Sequence, residues 1–208
     1  MALFKPEMTT TSGFSGICEC NIVKIVDKSD MFDWADIYLE VQLLQNGSKY
    51  TRSANILGEF EKDAKGVITG GSVIKRMYTF FAAIGCDAGI NLKGEWEDSI
   101  GNKIDIIEYL EPYLAIIDGK NWDGESLGKD GKYLAYFYKQ QPKKPGDKAY
   151  GRAHYKLYPV SETNKVKLQS DIDWMKSKGY IKEAIETETV MTVDADDLGS
   201  LALDNLSV

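Results

Sequence analysis

The dipeptide Asn46-Gly47 limits what this chain can fold into more than any other feature. Before it, Trp34–Gln45 alternates: Ile37, Leu39, Val41 and Leu43 point one way, and Tyr38, Glu40 and Gln42 the other. After it, Ser48–Leu57 reads as a second strand. Asn-Gly between two such runs predicts a β-hairpin, because both central residues of a type I′ turn take positive φ. A tight turn there pairs Leu43 with Tyr50, Val41 with Arg52, Leu39 with Ala54 and Ile37 with Ile56. The other face then carries Gln42, Lys49, Thr51, Ser53 and Asn55, with Glu40 as its acid. Such a face is either solvated surface or the lining of a groove.

A second hairpin is written into Lys132–Tyr158. Strand-like runs at Lys132–Lys139 and Ala149–Tyr158 flank a Pro/Gly/Lys loop, Gln140–Lys148. The later run alternates. Ala149, Gly151, Ala153, Tyr155 and Leu157 share one face; Tyr150, Arg152, His154, Lys156 and Tyr158 share the other. From Gly131 to Lys167 nine bases face two acids, and seven aromatics lie in the same window. Cations track a phosphate backbone and rings stack on unpaired bases, so this interleaving suits single-stranded nucleic acid. The ordinary alternative is a solvated hairpin whose lysines keep a sheet edge from aggregating.

Charge sharpens the contrast, because the whole chain is acidic, at −7. From Ile181 to Val208 one base (Lys182) meets seven acids, a balance of −6. Residues 1–180 are therefore close to neutral, and the hairpin is basic within them. Residues 185–208 read as a disordered acidic tail with hydrophobic punctuation, in which Asp194, Asp196, Asp197, Leu198, Leu201, Asp204 and Leu206 are candidate partner contacts. Residues 1–16, rich in Thr, Ser and Gly, read as a loosely held arm. Cys18, Cys20 and Cys86 include no C-x-x-C pair and the chain has one histidine, so reduced cysteines and no metal site are expected. No apolar run approaches a membrane span, and the N-terminus lacks an apolar signal core; a cytoplasmic protein is expected.

The remaining elements follow from periodicity. Ile17–Val26 reads as a first strand, with Ile22-Val23 and Ile25-Val26 breaking strict alternation. Ser72 and Gly85 bracket an amphipathic helix whose stripe is Val73, Met77, Phe80, Phe81 and Ile84. Gly70-Gly71-Ser72 at its start serves capping; the Gly-Lys-Ser/Thr of a nucleotide loop is absent from the sequence there. Ile104–Ile117 reads as a helix despite Pro112, with a strand ending in Leu114–Ile117 as the competing reading. Asp171–Ala184 reads as a third helix, with Trp174, Met175 and Ile181 inward and Gly179 weakening it. Residues 17–184 are thus expected to form one domain.

Three strands, a helical region and two more strands is the order of an OB-fold, a five-stranded Greek-key barrel with its helix between strands three and four. The predicted class is accordingly mainly β with helices (α+β): an OB-fold-like barrel, a C-terminal helix and a disordered acidic tail. The barrel carries ligands on strands two and three and in the loops after strand one and between strands four and five. Gln140–Lys148 fills the last of these loops, and Thr51–Asn55 belongs to the named strands. Across 16–159, including the GGSVIKRMYTFFAAIG helix and the closing YGRAHYKLYP run, the chain resembles phage-type single-stranded DNA-binding proteins. That resemblance implies a role in phage DNA replication or recombination, no catalysis, no cofactor, and an acidic tail that recruits partner enzymes. Such tails often end in an aromatic residue; this one ends Asn205-Leu206-Ser207-Val208, so Leu198–Leu206 would serve instead.

On this reading Lys139, Lys143, Lys144, Lys148, Arg152 and Lys156 neutralise phosphates. Tyr150 and Tyr158 stack on bases, with Tyr136 or Tyr138 as further rings and His154 as a stacking or phosphate contact. Lys49, Tyr50 and Arg52 are further candidates. A nuclease would need clustered carboxylates; Asp98, Asp105, Glu108 and Glu111 are available, but the sequence places no histidine or Asp/Glu-x-Lys signature beside them. A phage structural or adaptor protein that binds other proteins is the competing non-enzymatic reading.

Overall fold

The computed structural model describes residues 15–48, 51–115, 131–144 and 146–184. The strands β1 (Gly16–Asp27), β2 (Ile37–Gln45) and β3 (Thr51–Gly58) come first. A short pair, β4 (Glu61–Lys62) and β5 (Ile68–Gly70), precedes helix α1 (Ser72–Ile84). Another short pair, β6 (Gly89–Ile90) and β7 (Trp96–Glu97), precedes α2 (Ile106–Leu110). The chain closes with β8 (Tyr133–Gln140), β9 (Tyr150–Ala153), β10 (Tyr158–Pro159) and α3 (Glu162–Ser177). The fold is α+β, built on one antiparallel sheet of order β10-β8-β1-β2-β3, with β9 also on β8. Lys49, Tyr50, the expected tail 185–208 with its seven candidate contacts, and residues 1–14 of the expected arm lie outside the described residues.

Burial follows the predicted pattern. Ile37, Leu39, Val41 and Leu43 are all buried, and so are Ala54 and Ile56 across from them. The pairing differs from the expectation by two residues: Val41 faces Ala54 and Leu39 faces Ile56. Ser48 N–H still donates to Gln45 O (3.0 Å), so the turn sits at Asn46-Gly47, but the ladder resumes only at Thr51. A slip of two preserves every inward residue, because side chains alternate with period two. In β1 the ladder shifts between Ile22 and Lys24, a β-bulge that turns both Ile22 and Ile25 into the core. The doubled apolar residues of that strand are thereby explained.

Helix α1 covers the inner face with Val73, Met77, Phe80, Phe81 and Ile84, the predicted stripe. Its N-cap position is Gly71, with no side-chain cap hydrogen bond among the described residues, so Ser72 opens the helix without capping it; Gly85, at φ 76°, ends it in the left-handed conformation. Each buried side chain of this size contributes about 1.5–3 kcal/mol. A second apolar cluster forms on the opposite face of β8, where Leu134 and Tyr136 meet Leu168, Ile172 and Met175 of α3.

Three expectations need correction. The third helix begins at Glu162, nine residues before the expected Asp171, because Ser161 caps it: its Oγ accepts from Asn164 N–H (3.1 Å). It ends at Ser177, where Gly179 (φ 71°) terminates it rather than weakening its interior. The described part of Ile104–Ile117, as far as Ala115, is not one helix; Leu114 is extended and Ala115 N–H donates to Ile22 O (2.8 Å), while Ile116 and Ile117 lie outside the described residues. Asp105 caps the short α2, and a 3-10 turn at Glu111–Tyr113 accommodates Pro112. The expected single strand Ala149–Tyr158 is two, β9 and β10, joined by a bend. Both pair with β8, but two extra residues are inserted between Ala153↔Phe137 and Tyr158↔Leu134.

Among the described residues no ladder joins β3 to β9, and the sheet is open at that seam. The two strands nevertheless lie close. A β-carbon on Gly151 would stand 2.3 Å from Arg52 Nε, so the Arg52 side chain lies directly over the β9 backbone.

Candidate functional site

A concave groove of about 560 Å³ runs along the open seam. Its floor is Asn55 and Leu57 of β3 and Arg152–Tyr155 at the end of β9. One wall is the first half of α1, with Lys75, Arg76 and Thr79. The other wall is the end of α3, with Trp174, Met175 and Tyr180. Tyr138 of β8 closes one end. Among the described residues the lining contains three cations and no carboxylate.

These side chains reach the groove for local reasons. Lys75 and Arg76 lie off the buried stripe of α1, and Arg76 Nη1 donates to Leu57 O (3.0 Å), which fixes its guanidinium at the rim. Arg152 lies opposite Tyr138 and stands 5.8 Å from the centroid of the Tyr150 ring. None of these three cations forms a salt bridge among the described residues. Asn55 Nδ2 donates to Tyr38 Oη (3.3 Å), while its buried Oδ1 has no partner among the described residues. The Trp174 and Tyr180 rings lie with centroids 5.6 Å apart and planes tilted by 58°, and both are exposed.

Several predicted residues stand where expected. Tyr150 is exposed, and Lys139, Lys143, Lys144 and Lys148 are exposed on the hairpin and its tip. Arg52 sits at the seam, over Gly151. Others are otherwise engaged. His154 is 9% exposed; burial first, then the charges of Lys156 and Arg76, lower its pKa to about 4. Its Nδ1 accepts from Lys156 N–H (3.1 Å), so the neutral ring carries its proton on Nε2 and brings no cation to a phosphate. Lys156 Nζ is 2.6 Å from Asp171 Oδ2, and Tyr158 Oη donates to the same oxygen (2.8 Å). That shared carboxylate ties both residues to α3. Burial, then the Asp171 bond, pushes the Tyr158 hydroxyl up to about 12.

Tyr136 is not a free ring either. It is buried, its hydroxyl donates to Glu183, and Lys176 Nζ stands 4.7 Å from its centroid. Tyr138 is stacked on it at 5.7 Å. The polar face of β2 and β3 is internally paired: Ser53 Oγ donates to Glu40 (2.6 Å), and Lys28 pairs with the same carboxylate. The Lys28 bond, then Ser53, holds Glu40 below the usual glutamate range.

The nuclease candidates are dispersed. Asp98 closes its own turn by accepting from Ile100 and Asn102 N–H, and Asp105 caps α2. Among the described residues no group of three or more His, Cys, Asp or Glu side chains is placed to hold a metal ion. No helix among them is long and apolar enough to cross a membrane.

The sequence reading missed Lys75, Arg76, Tyr155, Trp174 and Tyr180 as groove residues, and Trp174, expected inward with Met175 and Ile181, is exposed instead. A signal existed for some. Lys75-Arg76 is a basic doublet on the polar side of α1, and Trp174 lies off the Leu168/Ile172/Met175 stripe of α3. No protein-family profile matches the chain, and no curated protein sequence matches it.

Proposed function

We propose that this chain binds single-stranded DNA without catalysis, as the phage-type replication and recombination proteins it resembles do. The observation that carries the reading is the groove lining: Lys75, Arg76 and Arg152 share one concave surface with Tyr138, Tyr155 and Trp174, with no carboxylate among the described lining residues. Cations capture the backbone and rings accept unpaired bases, a pairing that favours single strands with little sequence preference. The exposed lysines of the hairpin tip extend the cationic track beyond the groove. In architectural terms β1, β2, β3, β8 and β9 are the strands of an OB-like barrel whose β3–β9 seam is spanned by Arg52 instead of a ladder. Bound DNA would follow that seam.

The salt dependence of binding tests the electrostatic half of this reading. Each phosphate neutralised on a single strand adds about 0.7 to the slope of log affinity against log salt. Arg152→Ala and the Lys143→Ala/Lys144→Ala pair should each lower affinity for oligo-dT and flatten that slope, by about 0.7 per cation removed. Unchanged slopes in both variants would contradict it. A protein-binding adaptor is the second reading, favoured by the exposed Met31, Phe32 and Trp34 of the loop after β1. An absence of salt-sensitive DNA binding would put it first.

A further inference from the structure

We infer that the α3 wall of the groove is a base-stacking site, in which Trp174 and Tyr180 hold one unpaired nucleobase while Lys75 and Arg76, across the groove on α1, take the adjoining phosphate. This deepens the single-strand reading and rests on it. The site lies outside the basic hairpin and adds a helix to what a strand face alone supplies.

Trp174 is 55% exposed and Tyr180 70%, although the buried stripe of Leu168, Ile172 and Met175 runs down the same helix. The rings are held by backbone geometry. Tyr180 N–H donates to Met175 O (2.9 Å) and Gly179 N–H to Lys176 O (2.9 Å), a helix-ending pair of bonds that sets Tyr180 beside Trp174. Two large rings placed in advance on a concave wall give contact area at low entropic cost. The cations of the lining come from α1 and β9, while Lys176 on α3 is engaged by Glu183 (2.9 Å). The nearby carboxylate of Asp171 is neutralised by Lys156, so the groove stays attractive to an anion. At about 560 Å³ the space matches a small-ligand site, typically ~300–1,000 Å³, and suits a nucleotide rather than a duplex.

The test uses the full chain, oligo-dT and an abasic oligomer of the same length, read by fluorescence anisotropy and by tryptophan emission. Trp174→Ala should weaken oligo-dT binding by about 5- to 100-fold. It should leave abasic binding within twofold, and Trp174→Phe should keep most of the affinity. Oligo-dT should quench the wild-type emission far more than that of Trp174→Phe, which retains the other three tryptophans. If Trp174→Ala and Tyr180→Ala both bind oligo-dT within twofold of a tightly binding wild type, the stacking site is overturned and single-strand binding stands. Equal losses on the two oligomers would mark a structural fault and overturn it as well. A wild type that binds neither oligomer overturns the underlying reading and this site together.

Discussion

His154 shows how one residue's surroundings reverse its expected role. It occupies the cationic face of its run, yet the bend after β9 buries it under α1 and α3 with Lys156 and Arg76 nearby. Its pKa falls to about 4, against an ordinary 6.5. Between those values the unfolded chain binds a proton that the folded chain refuses, so stability from this ring is full above pH 6.5 and is lost as pH falls through 4. The shift corresponds to roughly 3 kcal/mol. Denaturant titrations at pH 7 and pH 4.5 should therefore show a larger loss for the wild type than for His154→Gln, and equal losses would contradict the burial assigned here. Period-two reading placed Arg152 and Tyr150 correctly because β9 pairs regularly with β8 as far as Ala153. Beyond it the two extra residues of the bend place His154 and Tyr155 by packing, which alternation cannot report.

At the scale of elements, the first hairpin and α1 were legible because burial alone decides them. Their apolar stripes match the period of each structure, and a slip of two residues changed the pairing without changing a single inward side chain. The start of α3 was hidden, although Ser161 is an N-cap by type, since the residues after it carry no buried apolar side chain before Leu168: Val166 among them is exposed. Another contact left no trace in the pattern. Gly131, just before β8, passes so close to β1 that a β-carbon would lie 2.5 Å from Cys20 N and 2.9 Å from Cys20 O. Backbone atoms in a paired strand cannot yield as a flexible side chain can. Gly131→Ala should cost about 1–3 kcal/mol of stability, the usual range for overpacking, measured by chemical denaturation. A cost near zero would mean that β8 and β1 approach less closely. By contrast Gly151→Ala meets only the Arg52 side chain, which can swing away.

For the whole molecule, the acidic total conceals the arrangement that matters. Three cations without a salt bridge among the described residues, and several rings, come from α1, β8, β9 and the end of α3, segments distant in sequence, and meet at the seam where the sheet is open. The sequence announced the basic hairpin, while the groove beside it depends on how two helices flank one gap in a sheet. A groove with stacking rings and no carboxylate among its described lining residues should accept an unpaired strand and exclude a stiff duplex, whose bases are already stacked. The most direct measurement is an anisotropy titration of labelled oligo-dT and a matched duplex, each at low and moderate salt. The account predicts tight, salt-weakened binding of the single strand and much weaker binding of the duplex. Equal binding of the two, or binding of neither, would contradict it.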